Sequence, residues 1–114
     1  MPSPITTHVL DTARGRPAEG VPAVLEVRRG ASFQEIGRGV TNADGRIADL
    51  LPRDAKLEKT AYRLIFDTGA YFGKNGGQGF YPAVSILFEV RDLARHYHVP
   101  LLLSPYGYST YRGS

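Results

Sequence analysis

The sequence contains no cysteine, and this absence removes several ways of building a fold or a site. Neither a disulfide nor a zinc site made of thiolates is possible, so burial of apolar side chains and backbone pairing must stabilise the protein. A cysteine nucleophile is excluded for the same reason. A chain of 114 residues has the size of one domain, and we expect a single domain over residues 1–114.

Long apolar runs are also missing. No stretch approaches the roughly 20 apolar residues that a membrane span requires. Residues 1–8 lack the basic region and the apolar run of a signal peptide. We therefore expect a soluble cytoplasmic protein with no membrane partner.

Charge of one sign is not concentrated anywhere in the chain. The formal net charge is +3, acidic residues lie between the basic ones, and Arg28-Arg29 is the only adjacent basic pair. A nucleic-acid surface normally needs a clustered basic stripe with aromatic side chains beside it. We predict no nucleic-acid partner and interpret Arg28-Arg29 as the end of a strand.

The dominant pattern is an alternation of apolar and polar residues with a period of two, which is typical of β-strands. Turn sequences separate the alternating segments, and Asp44-Gly45 is typical of a hairpin because glycine accepts positive φ. The pattern predicts an all-β fold, a two-sheet antiparallel sandwich of seven or eight strands. We predict strands over residues 5–11, 21–29, 33–40, 46–48, 61–67, 83–90, 96–103 and 108–113.

One short helix is predicted beside these strands. Asp67 can cap a helix over residues 68–75, and Gly76-Gly77 can end it. The glycine-rich run over residues 73–79 lacks the spacing of a phosphate-binding loop. We predict that it only connects the helix to the next strand.

The C-terminal strand pair carries most of the residues that could do chemistry. Counting by two from His98 places His96 and Pro100 on the same face, whereas Tyr97 and Val99 begin a uniformly apolar face. Both imidazoles are therefore predicted to point away from the core. Proline cannot donate to a strand ladder, so we expect the nitrogen of Pro100 at a bulge or an unpaired position.

His8 and Arg46 are the other candidates for chemistry. The alternation that buries Val9 turns His8 outward, and Arg46 directly follows a predicted turn. Together with His98 they supply two imidazoles that titrate near neutrality and one fixed cation, a set that suits proton transfer from an activated water. Residue type alone favours simple surface roles for such residues, and we keep that interpretation for His96.

A His-x-His pair on one strand face can also bind zinc. The third ligand would have to come from His8, the only histidine outside the pair. Zinc is thus an alternative that the residues leave open, although we predict no metal and no cofactor.

Three segments resemble a known family. They read Thr-His-Val-Leu-Asp-Thr-Ala-Arg-Gly-Arg-Pro-Ala at 7–18, Thr-Asn-Ala-Asp-Gly-Arg at 41–46, and His-Tyr-His-Val-Pro-Leu-Leu-Leu-Ser-Pro-Tyr-Gly-Tyr-Ser-Thr-Tyr-Arg-Gly-Ser at 96–114. Together they resemble the signature blocks of the 5-hydroxyisourate hydrolases, the enzyme relatives of transthyretin. The ending is the most specific block, because transthyretins lack the terminal Tyr-Arg-Gly-Ser and the set of His, Arg and His. The resemblance covers almost the whole chain and implies a transthyretin-like sandwich.

The resemblance also implies a site, a reaction and an assembly. Matched motif by motif, the family's catalytic residues fall on His8, Arg46 and His98. The implied reaction is a step of urate catabolism: water adds to a carbonyl of 5-hydroxyisourate, the adjacent C–N bond breaks, and 2-oxo-4-hydroxy-4-carboxy-5-ureidoimidazoline forms. The implied assembly is a homotetramer, a dimer of dimers, with active sites in a central channel where subunits meet. Substrate-binding residues are implied at Ser109, Tyr111, Arg112, Gly113 and Ser114.

The residue types suggest how such a site would work. A neutral His98, assisted by His8, would take the proton from water, while Arg46 would keep both imidazoles neutral and stabilise negative charge on the substrate. The sequence leaves open which imidazole is the base.

Two other functions compete with hydrolysis. A non-catalytic carrier of a small aromatic ligand would share the fold and the apolar channel, but it would not need two histidines and an arginine. An adhesion or carbohydrate-binding sandwich would expose aromatic platforms, whereas the tyrosines here cluster in the terminal motif.

Overall fold

The structure is a computed structural model that describes residues 3–114. Met1 and Pro2, part of the segment examined for a signal peptide, lie outside the described residues. The strands are β1 (Ile5–Asp11), β2 (Arg16–Pro17), β3 (Pro22–Arg29), β4 (Ser32–Val40), β5 (Arg46–Ile47), β6 (Ala61–Phe66), β7 (Val84–Glu89), β8 (Tyr97–Ser104) and β9 (Gly107–Thr110). A single helix in this range, α1 (Thr68–Lys74), lies between β6 and β7.

The strands form two sheets, which confirms the predicted sandwich. One sheet has five strands, in the order β2-β1-β8-β9 with β5 also paired to β1, and the other has four, in the order β4-β3-β6-β7. The pairs between these strands are antiparallel except that of β1 and β8, which is parallel. The parallel pair departs from the prediction, because alternation identifies the faces of a strand but not the direction of its neighbour.

The core lies between the inner faces of the two sheets. Ile5 and Val9 of β1 and Leu101 of β8 have no exposed surface, and Tyr97 and Val99 are also buried. Each side chain of this kind stabilises the fold by about 1.5–3 kcal/mol when it is fully buried. The buried face predicted for the C-terminal strand is therefore confirmed.

The predicted turns are present, but one of them does not form a hairpin. Gly30, with φ of 66°, joins β3 to β4, and Arg29 lies opposite Ser32 as expected. Asp44-Gly45 instead carries the chain from β4 in the four-stranded sheet to β5, which pairs with β1 in the other sheet. The hairpin prediction was wrong here, because tight-turn chemistry does not determine which strand the next segment joins.

The predicted helix is confirmed, and a buried hydrogen bond ties it to β1. The Asp67 carboxylate accepts a hydrogen bond from the Ala70 amide at 3.0 Å, as an N-cap does. The Tyr71 hydroxyl donates to the Asp11 carboxylate at 2.6 Å. Burial, together with this bond, raises the pKa of Tyr71 to about 12. The helix is therefore fixed against the end of β1.

The strand limits differ from the predictions by only a few residues. The short strand β2 was missed, because its two residues lie inside the segment predicted as a turn. Within residues 3–114, no helix combines the length and the apolar character needed to cross a membrane.

Candidate active site

Two neighbouring strands present their polar side chains on the outward face of the five-stranded sheet. In the parallel pair of β1 and β8, Thr6 lies opposite His98 and His8 lies opposite Pro100. Residues directly opposite one another share a face, so both imidazoles lie on the side away from the core. The outward orientation predicted for His8 and His98 is confirmed.

A turn delivers Arg46 to the same face. The Asn42 side-chain oxygen accepts hydrogen bonds from the amides of Asp44 at 2.9 Å and Arg46 at 3.0 Å. Gly45 has φ of 75°, and a Cβ there would stand 2.4 Å from the carbonyl oxygen of Val9, so only glycine fits. Because β5 pairs with β1, Arg46 lies directly opposite His8.

These residues meet at one open cleft. Its volume is about 520 Å³, within the range of small-molecule sites. The His8 and His98 rings lie 6.5 Å apart between centroids, and the His96 and His98 rings lie 6.3 Å apart and nearly parallel, with an angle of 18° between their planes. The cleft is lined by Thr6, Thr7, His8, Arg46, Ile47, Ala48, His96, His98, Tyr111, Gly113 and Ser114.

The surroundings of His8 and His98 favour their neutral forms. Burial lowers the pKa of His98, and the charge of Arg46 lowers it further. Burial and Arg46 lower the pKa of His8 in the same order, while the neighbouring Asp44 acts in the opposite direction. The expected effect of Arg46 is present, but desolvation is the larger cause. Both imidazoles can therefore accept a proton at neutral pH.

The terminal segment closes one side of the cleft. The Gly113 amide donates to the His98 carbonyl at 2.9 Å, which continues the register of β9 beyond its last strand residue. In that register Tyr111 faces Pro100, where the ladder is interrupted. Proline has no amide proton to offer at this point, in line with the unpaired nitrogen expected from the sequence.

Glycine is required at position 113 by its contact with the outward face of β8. A Cβ at this position would stand 2.6 Å from Cδ2 of His98 and 3.3 Å from Cγ of Pro100. The close neighbour of Gly113 is the His98 ring itself. The absence of a side chain at Gly113 therefore allows that imidazole to lie where it does.

Gly113→Ala is expected to displace the His98 ring. Crowding of this kind costs about 1–3 kcal/mol of folding stability. A shift of the ring by about 1 Å is expected to lower the turnover of the implied substrate, 5-hydroxyisourate, by about 100-fold. Urea unfolding and steady-state kinetics measure the two effects. Gly107→Ala is the matched control in the same hairpin, because its Cβ would meet only Ser104 Oγ, at 3.8 Å. Equal turnover in the two variants would contradict the role given to Gly113.

Two of the predicted binding residues lie outside the cleft of this chain. Ser109 pairs with Leu102 further along β9, on the outward face. The Arg112 guanidinium lies over the Tyr97 ring, 4.7 Å from its centroid, at the edge of the core. The structure therefore brings together His8, Arg46, His98, Tyr111, Gly113 and Ser114 but not Ser109 or Arg112.

Sequence reasoning did not place Thr6 or His96 at the cleft. His96 is exposed, as expected, but it lines the cleft, and its Nε2 lies 3.0 Å from the Thr6 hydroxyl. Thr6 lies two residues before His8 and shares its face, but its contact with His96 depends on the parallel pairing of β1 with β8. Among residues 3–114, no group of three or more metal-binding side chains is placed to hold an ion.

Comparison with known proteins identifies the family. A family model of transthyretin, described as the HIUase/Transthyretin family, matches residues 5–113. The chain is 46% identical over 114 residues to 5-hydroxyisourate hydrolase 2 of Rhizobium meliloti, covering 96% of this chain and 95% of that protein.

Two solved structures resemble the fold closely. The 5-hydroxyisourate hydrolase of Klebsiella pneumoniae is 39% identical with a TM-score of 0.82, covering 96% of this chain and 98% of that one. Sea bream transthyretin in complex with thyroxine is 31% identical with a TM-score of 0.90, covering 96% and 94%. With a family match over nearly all of its length, the chain belongs to the HIUase/transthyretin family.

Proposed function

We propose that this protein is a 5-hydroxyisourate hydrolase that forms 2-oxo-4-hydroxy-4-carboxy-5-ureidoimidazoline. The observation that carries the proposal is the meeting of His8, Arg46 and His98 at one cleft. They come from β1, β5 and β8, so separate elements converge on one set of proton acceptors and one cation. Relatives that are 41–46% identical, named 5-hydroxyisourate hydrolase or probable 5-hydroxyisourate hydrolase, support the same activity.

The difficult part of the reaction is to make water nucleophilic. An imidazole that is neutral at pH 7 can accept the proton as the oxygen attacks the ring carbonyl. The lowered pKa values of His8 and His98 keep both rings in that form. The proton taken from water can then pass to the ring nitrogen that leaves as the C–N bond breaks.

Arg46 supplies the second part of the chemistry. Attack on the carbonyl places negative charge on its oxygen, and a fixed guanidinium beside that oxygen stabilises the transition state. Arg46 lies opposite His8 and cannot lose its proton at neutral pH. The cation therefore serves the substrate and keeps the neighbouring imidazoles neutral.

The terminal segment positions the substrate in this scheme. Tyr111 offers a flat ring at the cleft, and the backbone of Gly113 and the hydroxyl of Ser114 can bond the urea-like edge of the substrate. Binding roles for Ser109 and Arg112 stay predictions, as does a cytoplasmic location.

We also propose that the protein forms a homotetramer, a dimer of dimers, in which the clefts lie where subunits meet. Two observations support it: β7 and β9 are end strands of their sheets, and apolar side chains near those edges are exposed. Leu87 is 63% exposed, Tyr111 58% and Phe80 68%. Light scattering should give a mass of four times the 12.5 kDa chain; a monomer at micromolar concentration would contradict the assembly.

A spectrophotometric assay tests the activity directly. Freshly prepared 5-hydroxyisourate should disappear faster with the protein than in buffer alone, and the His98→Asn variant should add little to the buffer rate. If the wild-type protein leaves the buffer rate unchanged, the proposed function is wrong.

A carrier of a small aromatic ligand is the second candidate, favoured by the fold shared with a thyroxine-bound transthyretin. A carrier would bind an aromatic ligand without turnover, and replacing Arg46 or His98 would change only its affinity. Isothermal titration with such a ligand, beside the hydrolysis assay, separates the two functions.

The activity is expected to fall at acidic pH. Burial and Arg46 lower the pKa of His8 and His98 below the usual value of about 6.5. The value of kcat/KM should therefore drop when the pH falls through these lowered pKa values. In the unfolded chain both histidines have the usual, higher pKa and bind protons at a higher pH than in the folded protein. Folding stability therefore also declines as the pH falls through this range. Circular dichroism at each pH separates unfolding from protonation, and a profile flat to about pH 4.5 would rule out a neutral imidazole as base.

A further inference from the structure

The Thr6 hydroxyl lies between two imidazoles. Its Oγ1 is 2.8 Å from Nδ1 of His98 and 3.0 Å from Nε2 of His96. Thr6 is only 6% exposed, so water has little access to replace either contact. The three side chains therefore form a short hydrogen-bonded chain from the inside of the cleft to exposed His96.

The Thr6 hydroxyl can donate only one of its two hydrogen bonds to the imidazoles. A hydroxyl has one proton to donate, so it donates to one ring and accepts from the other when both rings are neutral. If Thr6 donates to His98, the proton of His98 is on Nε2, and that nitrogen cannot act as a base. If His98 donates from Nδ1 to Thr6, and Thr6 donates to His96, then Nε2 of His98 keeps a free electron pair.

We propose that Thr6 and His96 are positioning residues that hold His98 in the Nδ1–H tautomer, with Nε2 as the proton acceptor in the cleft. The inference rests on the proposed hydrolase function and answers which imidazole is the base. His8 has no hydroxyl contact among the hydrogen bonds of residues 3–114. The groups beside it are Arg46 and Pro100 across the sheet and the backbone of Asp44.

The same chain can also hold the positive charge outside the cleft until the leaving nitrogen takes up the proton. When Nε2 of His98 takes a proton from water, its Nδ1 proton can move to Thr6 Oγ1 while the Thr6 proton moves to Nε2 of His96. His98 is then neutral again with its proton on Nε2, Thr6 keeps one proton, and His96 carries the charge at the exposed end. When Nε2–H of His98 gives its proton to the ring nitrogen that leaves, the Thr6 proton moves back to Nδ1 of His98 and the Nε2 proton of His96 moves back to Thr6, which restores the first arrangement.

Thr6→Val and Thr6→Ser form the matched pair that tests the proposal. Valine has nearly the shape of threonine but lacks the hydroxyl, so kcat should fall by about 10- to 100-fold, the range known for partners that orient a histidine at metal sites, with little change in KM. Serine retains the hydroxyl and should retain most of the activity. A Thr6→Val enzyme with wild-type kcat would overturn the proposal.

Nitrogen-15 NMR of the histidine rings supplies a readout that does not depend on turnover. The ligand-free wild type should show His98 protonated on Nδ1 at pH 7.5, and Thr6→Val should shift it toward a mixture of tautomers. An Nε2–H tautomer of His98 in the wild type would overturn the assignment. Because no substrate is needed, this result is distinct from a failure of the proposed function, which an inactive wild type would reveal.

His96→Leu tests the outer end of the chain without altering β1. Its loss of kcat should be smaller than that of Thr6→Val, and the double variant should be no slower than Thr6→Val, because both changes interrupt one chain. If the loss of kcat in the double variant equals the product of the two single losses, Thr6 and His96 do not act together and the proposal is wrong. The pH profile of each variant is interpreted with the charged and titratable groups that face His98, namely His8 on β1, Arg46 on β5, His96 and Tyr111.

Discussion

His98→Asn is expected to lower the turnover of 5-hydroxyisourate by about two to four orders of magnitude, the range for loss of an acid–base or electrostatic catalyst. The asparagine side chain can still form a hydrogen bond with the Thr6 hydroxyl, and the backbone carbonyl of residue 98 can still accept one from the Gly113 amide. The variant should therefore fold normally. The change removes the ring nitrogen that we propose as the proton acceptor. Steady-state kinetics with circular dichroism measure both parts of this expectation.

Arg46→Ala is expected to cause a loss of similar size for a different reason. The substrate oxygen loses its cation, while the imidazoles lose a charge that lowers their pKa. The acidic limb of the pH profile should therefore move to higher pH in this variant, in addition to the drop in rate. Arg53→Ala is the matched control, because Arg53 is exposed and does not line the cleft. An Arg46→Ala enzyme with normal rate and pH profile would refute both roles.

Deleting residues 111–114 is expected to abolish most of the turnover while changing stability modestly. These residues are exposed or half-buried and contribute no side chain to the core, so little apolar burial is lost. The deletion does remove three lining residues and the amide that bonds the His98 carbonyl. Since a misplacement of about 1 Å can cost about 100-fold in rate, we expect at least that loss.

The control for the deletion is Tyr106→Ala in the turn between β8 and β9. Tyr106 is 79% exposed and does not line the cleft, so its loss should leave both rate and stability nearly unchanged. Thermal unfolding of each variant shows whether the shortened chain is folded. A folded, shortened protein that hydrolyses 5-hydroxyisourate at nearly the full rate would show that the terminus is not part of the site.

The faces of individual strands were predictable because they depend on a local rule. Side chains alternate along a strand, so an apolar set such as Val99 and Leu101 identifies the buried side and places His98 on the other. The same reasoning set His8 outward from β1. The cap of α1 was predictable for a similar reason, because Asp67 bonds an amide only three residues away.

Beyond strands joined by a tight turn, such as β8 and β9, which strands become neighbours was not predictable, since pairing depends on burial summed over the whole fold. The turn at Asp44-Gly45 was recognised, but its crossing from one sheet to the other was not. That crossing is what places Arg46 beside His8. The close packing of Gly113 on the His98 ring also required the complete structure.

The sequence by itself determined the alternating strands, the outward orientation of the histidines and the terminal motif, because each depends on residues near one another in the chain. Only the tertiary structure decided that β1 and β8 run parallel with Thr6 opposite His98. Their side chains are 92 positions apart in sequence, and the 2.8 Å contact exists only in that register. A shift of one residue would turn Thr6 to the other face of the sheet, so the hydrogen-bonded chain to His96 is a consequence of the fold rather than of any local motif.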